Sequence, residues 1–242
     1  MKTTTLTATL TQLTRFPRLF PVNCYLVRED DGLTLIDTAI SGSAPAILAA
    51  ARRLGAPIAR IALTHAHVDH VGSLDALHAA APDAEILVPA REARFLAGDM
   101  SLDPAEPQAK LRGGWPTCTT RPTRLLRPGD RIGSLEVVAA PGHTPGHVAF
   151  LDTRDRALIA GDAFQTRAGI AVSGVVRPLF PFPAMATWHK PTALVSARAL
   201  RALDPTLVTV GHGNALVSPL AAMDQAIAVA ARQERTMAAH GA

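Results

Sequence analysis

The sequence predicts an α/β fold. Strand-like and helix-like segments alternate through the first third of the chain and return after an irregular middle part. The hydrophobic fraction is 48 % but aromatic residues make up only 4 %, so the core must be built mainly from aliphatic side chains. Neither a linker nor an internal repeat divides the 242 residues. We therefore expect a single α/β domain over residues 1–242.

Turn and cap residues mark the elements of the first third. An acidic turn that ends at Gly32 separates two apolar runs, a pattern typical of a β-hairpin. Ser43 is placed to cap a helix that has Pro45 in its first turn and Gly55 after its last residue. The predicted elements are strands over 23–27 and 33–36, a helix over 44–54, a strand over 60–63, a helix over 69–80 and a strand over 84–88.

The rest of the chain alternates irregular and regular parts. Prolines and a glycine pair interrupt residues 89–130, and a second irregular stretch covers 164–183. Long loops of this kind often form lids or binding loops. The predicted regular elements are strands over 135–140, 148–152, 157–160 and 206–210, a helix over 188–203, and a helix that begins after Ser218.

Charge and composition exclude several classes of partner. The formal net charge is only +4 and the basic residues are scattered, whereas nucleic-acid binding needs a clustered basic face. No run approaches eighteen apolar residues, and the N-terminus lacks the apolar segment of a signal peptide. Cys24 and Cys118 do not make a disulfide framework, and Cys24 is expected to be a buried thiol. We expect a cytoplasmic monomer or homodimer that acts on a small-molecule substrate, without nucleic-acid or membrane partners.

The densest group of chemistry-bearing residues is the run HAHVDH at 65–70, directly after a predicted strand. Imidazole and carboxylate are the ligands that first-row metals prefer in a cytosolic enzyme. His65 and His67 are two residues apart and can point the same way, while Asp69 and His70 begin the next helix. This short segment can therefore serve two neighbouring metal ions.

Three further ligand-type side chains follow predicted strands. His143 lies in the loop PGHTPGH at 141–147, Asp162 follows the strand over 157–160, and His212 follows the strand over 206–210. Each is weak evidence alone, because a histidine after a strand is more often structural. Their repetition at successive strand ends is typical of a site in an α/β protein.

The ordered set HxHxDH, PGHTPGH, GD and GHG resembles the metallo-β-lactamase superfamily from about Asn23 to Gly213. The resemblance implies a four-layer αββα sandwich with the site at one edge. It also implies the ligands: His65, His67 and His143 for a first metal, Asp69, His70 and His212 for a second, and Asp162 bridging the two. Asp37, at the end of an early strand, matches an aspartate that supports the site.

The implied chemistry is hydrolysis with a metal-bridging hydroxide. Two divalent ions, zinc in first place with manganese or iron as alternatives, lower the pKa of a shared water. Asp69 is the predicted catalytic residue because it can orient the attacking hydroxide. We therefore expect a binuclear hydrolase of a small ester-like substrate, meaning a lactone, a thioester or an ester.

Other members of the superfamily remain alternatives. A mononuclear iron persulfide dioxygenase would need only the first-metal ligands, whereas this chain carries both sets. True zinc β-lactamases usually lack the aspartate matched by Asp162. Lactonases often carry a tyrosine after that aspartate, but the only tyrosine here is Tyr25. About thirty residues follow His212, too few for the C-terminal domain of glyoxalase II.

Four predictions concern the surroundings of the site. His147 is expected to stabilise its loop by a hydrogen bond, and His240 to play no part. His189 either faces the pocket or lies on a helix surface. Large apolar residues of the irregular stretches either line an apolar recess or pin their loops to the core. These residues are Phe95, Leu96, Met100, Leu111 and Trp115 in the first stretch, and Phe164, Phe180, Phe182, Met185 and Trp188 in the second.

Overall fold

The computed structural model describes the backbone of residues 1–240 and the side chains of residues 1–236. The expectation for the His240 side chain therefore lies outside the described residues. The chain forms two compact units. Unit 1 comprises Met1–Asp99 with Gly114–Arg127, and unit 2 comprises Met100–Gly113 with Pro128–Ala242. The expectation of a single domain over 1–242 stays a prediction.

Unit 1 is built on a seven-stranded sheet whose strands follow one another in chain order. Its strands are β1 (Lys2–Thr5), β2 (Leu10–Arg15), β3 (Val22–Glu29), β4 (Gly32–Ile36), β5 (Ile58–Ala62), β6 (Glu85–Pro89) and β7 (Arg124–Leu126). The first four pair antiparallel and the last four pair parallel. The change occurs at β4, because the chain leaves β4 through a helix and helical crossovers connect parallel strands.

The helices of unit 1 follow the predicted cap chemistry in part, because the Ser43 side chain makes no capping hydrogen bond to the first of them. They are α1 (Ala44–Leu54), α2 (Val68–Val71), α3 (Leu74–Ala80) and α4 (Ala90–Leu96). Helix α1 ends as predicted, with Gly55 in the left-handed region at φ +72°. The prediction of one continuous helix over 69–80 is wrong, because the helix is interrupted around Gly72 and forms the two helices α2 and α3. There the backbone passes so close to residues 40–41 that a Cβ on Gly72 would lie 2.5 Å from the Ser41 nitrogen.

Unit 2 contains a six-stranded sheet with the order β15-β14-β11-β10-β9-β8 and a two-stranded ribbon, β12-β13. The strands are β8 (Arg131–Ile132), β9 (Leu135–Ala139), β10 (Val148–Asp152), β11 (Ala157–Ile159), β12 (Phe164–Gln165), β13 (Ala171–Val172), β14 (Leu207–Thr209) and β15 (Leu216–Val217). Strands β11 and β14 are parallel, so their carboxyl ends meet at the same edge of the sheet.

Three helices complete unit 2, namely α5 (Phe182–Met185), α6 (Lys190–Ala202) and α7 (Leu220–His240). Buried side chains of α6 and α7, such as Ala197, Leu200 and Met223, pack with Phe164 in one apolar cluster. Within the described residues, no helix combines the length and the apolar character that a membrane span requires. The predicted α/β class is confirmed in each unit.

Among the described residues, seven strands were not predicted, namely β1, β2, β7, β8, β12, β13 and β15. Strand β2 carries Gln12 and Thr14, which are polar and would normally mark a surface strand, yet both are buried. Their side chains hydrogen-bond to Asn23 of β3 at 3.0 and 2.8 Å, so burial leaves them satisfied. The amphipathic alternation that identifies a half-buried strand is therefore absent from β2.

Candidate metal centre

The first ligand group comprises His65, His67, Asp69 and His70, all within unit 1. They follow β5, a strand paired on both sides, and extend into α2. The ring centroids of His65 and His70 lie 4.1 Å apart, and those of His65 and His67 lie 4.8 Å apart. All three rings are buried, whereas the Asp69 side chain keeps 20 % of its surface exposed. The loop thus gathers three imidazoles beside one accessible carboxylate.

Asp37 orders this group from the end of β4. Its carboxylate accepts a hydrogen bond from His70 Nδ1 at 2.7 Å, and bonds from the backbone nitrogen and the hydroxyl of Thr64, each at 2.8 Å. A carboxylate on Nδ1 keeps the proton on that nitrogen, so His70 presents the lone pair of Nε2. The Thr64 hydroxyl also contacts His65 Nδ1 at 3.0 Å. Asp37 therefore has the supporting contact that the resemblance implies.

Glu92 was not predicted to support the site. It lies in α4, is fully buried, and its Oε2 accepts a hydrogen bond from the Ala66 backbone nitrogen at 2.8 Å. Ala66 separates His65 from His67, so this bond fixes the backbone between two ligand-type histidines. A glutamate in a helix-like segment is normally solvated, and nothing in the sequence pattern marks this one as buried.

The second ligand group comprises His143, Asp162 and His212, all within unit 2. Asp162 and His212 follow the parallel neighbours β11 and β14, which explains why they meet. Asp162 Oδ2 lies 3.4 Å from His143 Nε2 and 3.2 Å from His212 Nε2. Charge-assisted hydrogen bonds between these atom types are shorter, about 2.7–2.9 Å. One carboxylate oxygen therefore lies between two imidazole nitrogens at more than the usual bonding distance.

Other side chains hold the second group in place. His143 Nδ1 contacts the Ser173 hydroxyl at 2.9 Å, and Ser173 contacts Thr187 at 2.8 Å. The Asp162 backbone nitrogen donates to His147 Nε2 at 3.0 Å, which confirms the prediction of a loop-stabilising role for His147. Neither Ser173 nor Thr187 was predicted, because they lie 30 and 44 residues from His143 in the chain.

The aromatic residues of the irregular stretches divide between the two predicted roles. The Trp115 ring lies 4.5 Å from His67, centroid to centroid, and Phe180 lies 5.6 Å from His212. Phe95 packs against Trp115. Phe164 instead belongs to the apolar core of unit 2, so the prediction that it lines a recess is wrong for that residue.

Trp188 and His189 line a cavity of about 400 Å³ within unit 2, together with residues that include Arg112, Lys190 and Glu234. His189 is the N-cap of α6, where its Nδ1 accepts a hydrogen bond from the Thr192 backbone nitrogen at 3.4 Å. His189 thus caps a helix and borders this cavity, while the expectation that it faces the metal pocket stays a prediction.

The donor chemistry of both groups fits divalent metal ions. The Nδ1 atoms of His65, His70 and His143 contact protein oxygens, which leaves Nε2 as the coordinating atom of each ring. Two ligands bound to zinc at about 2.1 Å in tetrahedral geometry lie about 3.4 Å apart. The distances from Asp162 to its two histidines match that separation. The metal-ligand roles of all seven residues stay predictions.

Comparison with known proteins identifies the family. The model of the metallo-beta-lactamase superfamily matches residues 17–212. The chain belongs to that superfamily. It is 53 % identical over 220 residues to the uncharacterized protein YobT of Bacillus subtilis, across 90 % of this chain and 94 % of that protein. It is 34 % identical to a hydroxyacylglutathione hydrolase of Rhodospirillum rubrum, across 78 % of this chain and 60 % of that enzyme.

Solved structures give the same fold. The DIM-1 metallo-beta-lactamase superposes with a TM-score of 0.72 at 16 % identity, covering 96 % of this chain and 97 % of that one. The protein TTHA1623, solved in a di-iron-bound form, has a TM-score of 0.64 at 29 % identity, with coverage of 87 % and 96 %. The predicted α/β fold of the metallo-β-lactamase type, the αββα class, is confirmed. Proteins of this superfamily bind metal ions, as the two ligand groups lead one to expect.

Proposed function

We propose that this protein is a binuclear metal-dependent hydrolase of a small ester-like substrate, a lactone, a thioester or an ester. The proposal joins the two ligand groups in one centre, as the superfamily pattern implies. His65, His67 and His143 would hold one divalent ion, and Asp69, His70 and His212 a second, with Asp162 shared. Zinc is the expected metal, and manganese or iron are the alternatives.

Asp162 Oδ2 lies 3.4 Å from His143 Nε2 and 3.2 Å from His212 Nε2, and this position supports a binuclear centre. His143 and His212 belong to different metals in the proposed assignment. A carboxylate beside both is the arrangement that a shared ligand requires. A mononuclear centre at the first position would use Asp162 but would not require His212 beside it.

The chain's own residues have separate tasks in the proposed reaction. When bound, two divalent ions would supply an activated water and polarise the substrate oxygen. Asp69 keeps part of its carboxylate exposed and can accept a hydrogen bond from that water, which orients it toward the substrate. Asp37 and Glu92 keep the histidine loop in place through His70 and the Ala66 backbone.

Two findings support an ester-like substrate. The Rhodospirillum rubrum relative is by name a hydrolase of a hydroxyacyl glutathione, which is a thioester. The large apolar rings Trp115 and Phe180 lie against His67 and His212, one in each ligand group, and suit an acyl or alkyl group better than a charged polymer. The scattered basic residues agree with this choice.

The proposal is tested by assaying protein of known metal content on a panel of substrates. Protein loaded with zinc or manganese is expected to hydrolyse at least one lactone, thioester, carboxylic ester or phosphoric ester, and to lose that activity on chelation. The Asp162→Asn variant should lose activity, while Asp75→Asn, which removes a carboxylate outside both ligand groups, should keep it. Inert zinc and manganese forms, combined with an iron form that consumes oxygen in the presence of a persulfide, would instead establish the dioxygenase alternative.

A further inference from the structure

Gln165 is a buried amide in unusual surroundings. It ends strand β12 and is only 3 % exposed. Neither its Oε1 nor its Nε2 has a hydrogen-bond partner among the described protein atoms, and both atoms are shielded from solvent. A glutamine amide offers two donors and two acceptor lone pairs, so the whole hydrogen-bonding capacity of this side chain is unused within the protein.

Such an amide is costly for the fold. Leaving a buried polar group unsatisfied costs more free energy than most single contacts contribute. The same chain shows the ordinary solution at Gln12, which is also buried and donates to Thr14 and Asn23 at 3.0 Å each. The contrast leaves the Gln165 amide able to bond to a molecule outside the polypeptide, either a bound water or a substrate group.

The backbone places Gln165 beside the second ligand group. It follows Asp162 by three residues, and the next residue, Thr166, donates its backbone N–H to the His212 carbonyl at 3.0 Å. In the β12-β13 ribbon, the Ser173 nitrogen donates to the Ala163 carbonyl, so these two residues continue the ladder that pairs Gln165 with Ala171.

Side chains alternate between the two faces of a ribbon, and paired residues share a face. Gln165 therefore shares its face with Ser173, whose hydroxyl contacts His143 Nδ1 at 2.9 Å. Phe164 and Val172 form the neighbouring pair on the opposite face. The apolar cluster of unit 2 contains small residues of the Gln165 face, Ala163 and Ala171, as well as this pair. The amide thus lies on the side of the ribbon that supports His143.

We propose that Gln165 positions the substrate by donating a hydrogen bond from Nε2 to its carbonyl oxygen. The inference rests on the proposed hydrolase function and narrows the substrate to a carboxylic ester, a lactone or a thioester. A neutral amide suits a neutral carbonyl oxygen that gains negative charge during attack by water. Phosphoryl groups are bound mainly by arginine and lysine, because their charge is already present in the ground state.

The test replaces Gln165 with methionine, which has similar length but forms no strong hydrogen bond. Because the unsatisfied amide is removed, Gln165→Met should raise the melting temperature by about 2–4 °C. Its kcat/KM on a carboxylic ester, lactone or thioester should fall by about 100-fold or more. Metal content per chain should remain that of the wild type.

Gln12→Met is the matched control. It removes a buried amide that has partners, so it should lower the melting temperature and leave kcat/KM unchanged. The inference is overturned if Gln165→Met is as active as the wild type or is destabilised like Gln12→Met. Turnover of phosphoric esters alone would overturn the acyl assignment but leave the hydrolase function intact. A wild type inert on every ester would overturn the proposed function and, with it, this assignment.

Discussion

Replacing Asp37 with asparagine should weaken metal binding by reversing one hydrogen bond. Thr64 N–H donates to Asp37 Oδ1, so the carbonyl of an asparagine would keep that place and its NH₂ group would replace Oδ2. Oδ2 now accepts from His70 Nδ1 at 2.7 Å. Facing a donor, His70 Nδ1 must become an acceptor, and the ring proton moves to Nε2, the atom proposed to coordinate metal.

The size of the effect follows from this contact. Loss of a partner that orients a metal-bound histidine typically lowers metal affinity about 10- to 100-fold, which corresponds to about 1.4–2.8 kcal/mol. The backbone should not add to the cost. Asp37 has φ +61°, in the left-handed region, and asparagine tolerates that region as well as aspartate does.

Competition between the protein and a chelating indicator measures the change. In Asp37→Asn, the dissociation constant of the ion at the second site, which His70 is proposed to bind, should be about 10- to 100-fold larger than in the wild type. The overall fold should be retained. Asp152→Asn is the control, because Asp152 is equally buried but bonds to Arg154 and to neither ligand group. An Asp37→Asn protein that binds both ions within twofold of the wild-type affinity would refute the assigned role of Asp37.

Three further predictions concern unit 1 and the two thiols. Burial disfavours the charged form of Asp75, but hydrogen bonds from residues 119–120 outweigh it and lower the pKa of the carboxyl to about 2. Its stabilising contribution should be complete above about pH 4 and lost as the pH falls toward 2, so wild type should lose more free energy of unfolding over that range than Asp75→Asn. Burial raises the pKa of the thiols of Cys24 and Cys118, the latter to about 11. Both thiols should therefore react with a maleimide at neutral pH only after the protein unfolds. Fast labelling of the native protein would contradict this prediction. Glu92→Leu should lower the free energy of unfolding in urea by about 1–3 kcal/mol, because it leaves a buried backbone N–H unpaired, while Glu92→Gln keeps an acceptor and should lose less.

Local signals in the sequence predicted much of the fold. Helix α1 was predicted with its observed bounds because Pro45 and Gly55 mark a start and an end through their own backbone preferences, although Ser43 makes no capping bond. The run at 65–70 was found because its ligand-type residues are adjacent in the chain. Strand β2 was not predicted because its buried polar side chains form hydrogen bonds to a neighbouring strand. The local sequence pattern does not indicate such bonds.

The residues that support the site were harder to predict. Glu92 lies 26 residues from the Ala66 nitrogen that it binds, and Ser173 lies 30 residues from His143. Such contacts depend on which strands become neighbours, which motif spacing does not specify. Gln165 lies in a stretch predicted as irregular, where the ribbon pairing that determines its direction was not foreseen. The ligand-type residues were therefore readable from the sequence, but most of the side chains that orient them were not.

We propose that one chain holds two metal ions with Asp162 between them. Mass spectrometry of metal content, after loading with zinc and removal of excess metal, measures this directly. The wild type is predicted to retain two ions per chain and Asp162→Asn one or fewer, while the Asp152→Asn control retains two. A wild-type protein that retains a single ion per chain, or an Asp162→Asn variant that keeps both, would contradict the binuclear centre.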